Sequence, residues 1–482
     1  MTKLDDGSQK LSYFKLTGVA IGSTVASGAF SLSGDMAANG AGTAAVLVGW
    51  ALCGIGMLAL VLCFFQLNKV RPELTGGIYS YAREGYGDYV GFNSAWGYWV
   101  STFLANVSFA TLLFSAMGHF FPIFEAGNNL LSIICASAVT WLAVLLVCRG
   151  VKEAAAVNLV VTFAKLVPIF LFIMIIVFLK AFDLNIFMNN FMGEDTGLTF
   201  LQQIKATTYT TAWTFIGIEG AVVISGRAKR SKDVGRATIT SYLAVLFIYV
   251  MISILSMGIM SRAELADLGN PPLAAILTQV MGPLGGVIIN IGVIISLLGA
   301  TLGHVIISAE CAYEAAAKGS FCLAFGRVNK RHSPVFTLVV TNALVQIFLI
   351  VVYFNASTYQ VFYTISTTMM IIPYLLSSMY YWKLVSTEKH YLEKKNINPL
   401  GAYIVAIMAT IYGLWLIYSG GMVGLMISAL LYAPGTIIYI WGKREKNQPA
   451  FAKAGDKAIL GIILILFVLS LVLIARGVIK PF

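Results

Sequence analysis

Gly22-Ser23-Thr24-Val25-Ala26-Ser27-Gly28-Ala29-Phe30 and Phe215-Ile216-Gly217-Ile218-Glu219-Gly220 are the two stretches that say most about the architecture. Each lies inside an otherwise apolar run and interrupts it with glycine, small hydroxyl residues or an acid. Backbone groups without a partner are costly in hydrocarbon, so irregular backbone at that depth survives where it lines a cavity or binds something. When apolar runs of about 20 residues, the length that spans a bilayer, are counted along the chain, the first stretch falls in run one and the second in run six. Breaks five elements apart are the mark of a five-plus-five inverted repeat whose broken helices, 1 and 6, meet at a central site. Glycines that only allow close helix packing are the plainer alternative, but packing leaves the acid at Glu219 unexplained.

Working outward, the runs number thirteen, at 13–39, 43–67, 87–121, 128–148, 154–179, 203–226, 237–260, 282–316, 334–353, 358–382, 400–418, 421–441 and 458–476. The fold class is therefore an all-α membrane protein with about 13 transmembrane helices. The chain divides into a tail at 1–12, a transport core at 13–382 with repeats at 13–180 and 201–382, helices 11 and 12 within 399–442, and an additional helix at 457–478. The first run is interrupted by glycines and followed by twelve others, unlike a cleaved signal peptide. The longest polar connections, near 181–202 and 383–399, leave no room for a soluble domain.

Composition agrees. Of 482 residues, 59% are hydrophobic and 11% charged, whereas a soluble chain carries about 25% charged residues. The net charge of +11 is a membrane signal instead of a nucleic-acid one. With the N-terminus placed in the cytoplasm, 26 of the 32 Lys and Arg residues fall on the cytoplasmic side, and such a bias sets the orientation of a multi-pass protein in the cell membrane. The six cysteines stand singly, with no CxxC pair, and the four histidines are scattered, so neither a disulfide framework nor a metal or cofactor site is expected. An enzyme would need paired acids, a ligand cluster or a nucleophile with its base, and a channel a repeated filter or charged ring; neither pattern is present.

The physics of helix ends suggests what the breaks hold. A half-helix starting near Ser27 and Gly28 offers N–H groups and partial positive charge to a carboxylate, while carbonyls freed near Thr24, Trp213 and Ile216 suit an ammonium group. Together they would grip the backbone of an amino acid.

Four stretches carry a resemblance: GSTVASGAFSLSGDMA (22–37), GGIYSYAREGYGDYVGFNSAWGYW (76–99), RGVKEAAAVN (149–158) and WTFIGIEGAVVISGRAKRSKDVGRAT (213–238). They are similar to the amino acid-polyamine-organocation superfamily, and within it to the basic amino acid/polyamine antiporters of the arginine/ornithine type, over about residues 10–445. The resemblance implies that Ser27 and Gly28 take the substrate carboxylate and that the carbonyls of Thr24, Trp213 and Ile216 take the amine. It makes Trp213 a gate above the substrate, Tyr98 and Tyr374 gating tyrosines, and Asn106 (in STFLAN, 101–106) and Ser366 (in ISTTMMIIPY, 365–374) side-chain contacts. The implied partners are amino acid and amine substrates and the lipid bilayer, with a homodimer left open. The sequence departs from the family pattern at Val25-Ala26-Ser27-Gly28, at Ser33, where proline is common, and at His304 in GATLGHVIISAE (299–310), where arginine carriers tend to place tryptophan.

Charged side chains at mid-bilayer are costly and commonly functional. Glu219, beside the second break, is read as a proton sensor or cation attractor. Lys165, in FAKLVPI (163–169), can reach the back of the first break. Some sodium-independent relatives have a lysine where sodium-coupled ones hold the ion, so Lys165 is read as a sodium-site substitute; snorkelling, or pairing with Glu310, is its alternative role. His304 is the better pocket candidate on its helix and Glu310 the more structural residue. The expected activity is exchange of a cationic amino acid for its metabolic product by alternating access. An amino acid/decarboxylated amine pair such as histidine/histamine and proton-coupled uptake remain as alternatives.

Overall fold

The computed structural model describes residues 10–479 except 125, 190 and 356–358, so most of the expected tail at 1–12 lies outside the described residues. The first apolar run is two helices, α1 (Tyr13–Thr24) and α2 (Gly28–Ala38). There follow α3 (Thr43–Val70), the short α4 (Ile78–Tyr86), α5 (Asp88–Gly118), α6 (Leu130–Cys148), α7 (Val151–Phe178) and α8 (Leu184–Met188). The sixth run is likewise divided, into α9 (Phe200–Thr214) and α10 (Gly220–Val223). Then come α11 (Ser231–Met257), α12 (Arg262–Ala266), α13 (Pro272–Met281), α14 (Pro283–Ala317), α15 (Val335–Asn355), α16 (Tyr359–Thr387), α17 (Lys389–Lys394), α18 (Pro399–Arg444) and α19 (Ala454–Ala475).

Among the described residues, eleven helical segments are long and apolar enough to cross a membrane, taking α1 and α2 together. The difference from thirteen has two physical sources. The sixth run is broken into pieces too short to qualify singly. The 46 residues of α18 form one helical run with a non-helical Gly421 inside it, at φ 59° and ψ −164°; at 1.5 Å per residue this length is about twice the bilayer core. The expected boundary between spans eleven and twelve falls at that kink.

Local sequence starts several helices. Asn129 caps α6 by accepting from the Ser132 N–H at 2.9 Å. Thr199 and Gln202 form a reciprocal capping box at the start of α9, with Gln202 Oε1 accepting from the Thr199 N–H at 2.8 Å, which satisfies N–H groups that a helix start would otherwise leave free. Helices α14 and α16 both pack on α5, α7 lies against α14 and α1, and α3 against α9 and α11, so they surround the broken elements. Helix α19 packs on α18, where Ser470 Oγ donates to the Met426 carbonyl at 3.0 Å. Only 6% of its apolar window is buried, so its side chains face outward.

Candidate functional site

The site forms where the two breaks touch. Helix α1 stops at Thr24, residues 25–27 are irregular, and α2 begins at Gly28. The N–H groups of Phe30 and Ser31 both donate to the Ser27 carbonyl, at 3.0 and 3.2 Å, and those of Gly28 and Ala29 have no acceptor among the described residues. In the sixth run residues 215–219 are a turn. Gly217 has φ +104°, and a Cβ there would sit 2.8 Å from the Ser23 carbonyl carbon, so both conformation and space require glycine. Its N–H donates to the Glu219 carboxylate, at 3.2 and 3.3 Å to the two oxygens. A Cβ on Gly28 would lie 2.7 Å from Thr214 Cγ2. Each break is thus held open against the opposite helix by a missing side chain.

The three carbonyls expected to hold an amine differ in what they already accept. That of Thr24 takes the Ala26 N–H at 2.9 Å and the Tyr249 hydroxyl at 2.8 Å, which uses both lone pairs. That of Trp213 takes the Ile216 N–H at 3.1 Å, and that of Ile216 takes nothing among the described residues. In this conformation the acceptor capacity lies on Ile216 and half of Trp213.

Side chains close the space on every side. Trp213 Nε1 donates to Ser27 Oγ at 3.2 Å. Its ring stacks on Tyr363, centroids 5.3 Å apart and 24° between planes, and leans on Phe109 at 5.7 Å. Phe109 meets His304 edge to face at 4.9 Å, and Nδ1 of His304 lies 3.2 Å from the Ala300 carbonyl. On the other flank, Tyr374 donates to Glu219 Oε2 at 2.5 Å, and Tyr98 stands next to the same carboxylate. Every candidate residue is buried, so the site is shut from solvent on both sides. Two of these buried residues carry a polar atom with no partner among the described residues: Asn106 Oδ1 and His304 Nε2. Buried polar atoms are paired in about nine cases of ten, so unpaired ones on these candidate residues, with free N–H groups at the start of α2, would suit a polar ligand. Ser366 differs: its Oγ is engaged with Ser101, 2.8 Å from the carbonyl oxygen and 3.0 Å from the hydroxyl, fastening α16 to α5.

Lys165 is fully buried and its Nζ donates to the Gly22 carbonyl behind the first break. The Glu310 alternative fails geometrically, because Glu310 is paired with Arg227 at 2.6 Å. That ion pair belongs to the N-terminal end of the bundle, where Arg227 Nη2 also donates to the His332 carbonyl at 3.1 Å and Leu11 pairs with residues 227 and 229 through two backbone hydrogen bonds of 2.7 and 2.9 Å. Nearby, Lys318 donates to Ser80 Oγ at 2.6 Å. Burial pushes its ammonium below the usual range while the Glu314 carboxylate pulls it upward.

Sequence reasoning missed Phe109, Tyr249 and Tyr363. Phe109 and Tyr363 each stand three residues from a residue it did choose, Asn106 and Ser366, and helical spacing could have flagged them. Tyr249 sits 225 residues from its partner, with no local signal.

Residues 11–418 match the amino acid permease family. The chain is 43% identical over 455 residues to an arginine/ornithine antiporter of Pseudomonas aeruginosa, covering 92% of this chain and 93% of that one. It is 38% identical over 490 residues to an arginine/agmatine antiporter of Chlamydia caviae, covering 99% of each, and 38% identical over 473 residues to an arginine/agmatine antiporter of Chlamydia felis, covering 96% of each. With all-helical architecture, two broken helices in contact and a family match across most of its length, the chain is a multi-pass membrane protein that belongs to the amino acid permease family.

Proposed function

We propose that this protein is a secondary-active amino acid antiporter of the arginine/ornithine type, working by alternating access. The observation that carries the reading is the enclosed junction of the two breaks, where among the described residues the N–H groups of Gly28 and Ala29, the Ile216 carbonyl and polar atoms of Asn106 and His304 have no partner. An amino acid supplies the complement: its carboxylate meets the start of α2, its ammonium the Ile216 and Trp213 carbonyls, and its side chain the Phe109 and His304 wall. Trp213 with Tyr363 forms the outer closure, and the Tyr98, Glu219 and Tyr374 group the inner one. The basic residues gathered at the N-terminal end support a cytoplasmic N-terminus in the cell membrane.

The unpaired Nε2 of His304 favours one second reading, exchange of an amino acid for its decarboxylated amine, with an imidazole hydrogen-bonding the substrate. Competition against labelled arginine by ornithine, agmatine, histidine and histamine separates the two. The arginine/ornithine reading expects ornithine to compete best among the four. Stronger competition by histidine and histamine would replace it with the second.

A further inference from the structure

Beyond the central site, a cavity of about 610 Å³ opens at the end of the bundle opposite the N-terminus. Tyr363 is on its wall, and the same ring stacks on Trp213, so only two aromatic rings separate the cavity from Ser27. Two charged residues line it, Asp35 and Lys205. Asp35 lies seven residues beyond Gly28 on α2, and Lys205 eight before Trp213 on α9. At 1.5 Å per residue both stand about 10–12 Å outward from the break of their own helix.

The state of the two charges is the informative point. Asp35 is 5% exposed. Its carboxylate accepts from the Tyr359 hydroxyl and from Gln360 Nε2, the latter at 3.3 Å, both neutral donors. Among the described residues no Lys or Arg pairs with it. A buried carboxylate without a cation is expensive to keep, and this one borders a cavity wide enough to admit a ligand. The Lys205 ammonium rests over the Tyr418 ring at 4.2 Å and has no carboxylate partner among the described residues.

We infer that this cavity is an antechamber that binds the incoming cationic amino acid before Trp213 and Tyr363 part, with Asp35 receiving the side-chain cation and Lys205 the carboxylate. The inference rests on the antiporter reading above and extends it to a second, outer subsite. A guanidinium or ammonium brings several donors to an oxygen pair that now has only neutral ones. A decarboxylated amine brings the cation but nothing for Lys205, so the antechamber prefers the amino acid to its amine.

Initial exchange rates measured from each face, in right-side-out and inside-out vesicles, test this. In Asp35→Asn, whose amide oxygen can still accept from Tyr359, the half-saturating external arginine concentration should rise about tenfold, equivalent to about 1.4 kcal/mol, with no such rise at the inner face. Asp35→Glu should recover much of the loss. Lys205→Gln should raise the external value for arginine and leave competition by agmatine unchanged. If Asp35→Asn does not accumulate, Lys205→Gln carries the test alone. Wild-type external half-saturation in these variants, or an equal change at both faces, would overturn the antechamber. Failure of the unmodified protein to exchange arginine at all would instead overturn the antiporter reading on which it stands.

Discussion

We propose that Lys165 stands where a relative would hold an ion. Its Nζ reaches the Gly22 carbonyl, in the last turn before α1 gives way to the break, and in the proposed role it takes the place of the ion behind the break. Exchange should therefore be indifferent to sodium: replacing it with choline is expected to leave the initial rate unchanged, and a steep sodium dependence would contradict the role given to Lys165. Glu219 presents a second case. Its two oxygens are shared between the Gly217 N–H and the Tyr374 hydroxyl, which ties the turn of the sixth run to α16. Glu219→Gln keeps one acceptor but turns an amide donor toward a neighbouring donor; an unsatisfied buried group costs about 1–3 kcal/mol, so exchange should fall about tenfold or more. Rates matching the unmodified protein between pH 5 and 8 would remove Glu219 from the mechanism. At His304, one ring away from Trp213 through Phe109, substitution by Trp is expected to shift competition toward arginine and away from histidine.

At the scale of elements, the contact between the breaks is set by glycines. Gly28→Ala would drive a methyl group into Thr214, 2.7 Å from its Cγ2 and 3.2 Å from its Cα, so the start of α2 must move away from α9. Arginine binding by the purified, folded variant should fall at least tenfold, and unaltered binding would place the carboxylate site elsewhere. The positions of both interruptions were legible in the sequence because glycine beside small or acidic residues in an apolar run has few other meanings there. What those groups bond to was not legible. The second acceptor bond on the Thr24 carbonyl comes from Tyr249, Ser366 is spent on Ser101, and Glu310 finds Arg227 83 residues away. Such partners are decided by how helices pack, and the periodicity of one segment carries no trace of another. The Arg227–Glu310 pair can be tested by thermal melting in detergent. Removing either partner strands a buried charge, at about 3–5 kcal/mol, so Glu310→Ala should lower the melting temperature sharply, and adding Arg227→Ala should restore part of the loss. A double variant showing the full sum of both losses would exclude an energetic coupling between them.

For the molecule as a whole, the organisation separates a core that carries the site from a periphery that does not. Helix α19 leans on α18 alone among its extensive contacts and turns nearly all its surface outward, so deleting it should leave the exchange rate within about twofold, with protein amount as the control. The core encloses its site between Trp213 with Tyr363 on one flank and the Tyr98, Glu219 and Tyr374 group on the other. A carrier built this way exchanges when its empty form reorients much more slowly than its loaded form. Counterflow in reconstituted liposomes addresses that claim most directly: labelled arginine is presented outside to vesicles loaded with ornithine and to vesicles loaded with buffer alone. The account expects rapid uptake into the ornithine-loaded vesicles and little into the empty ones. Equal uptake into both, or no stimulation by internal ornithine, would contradict it.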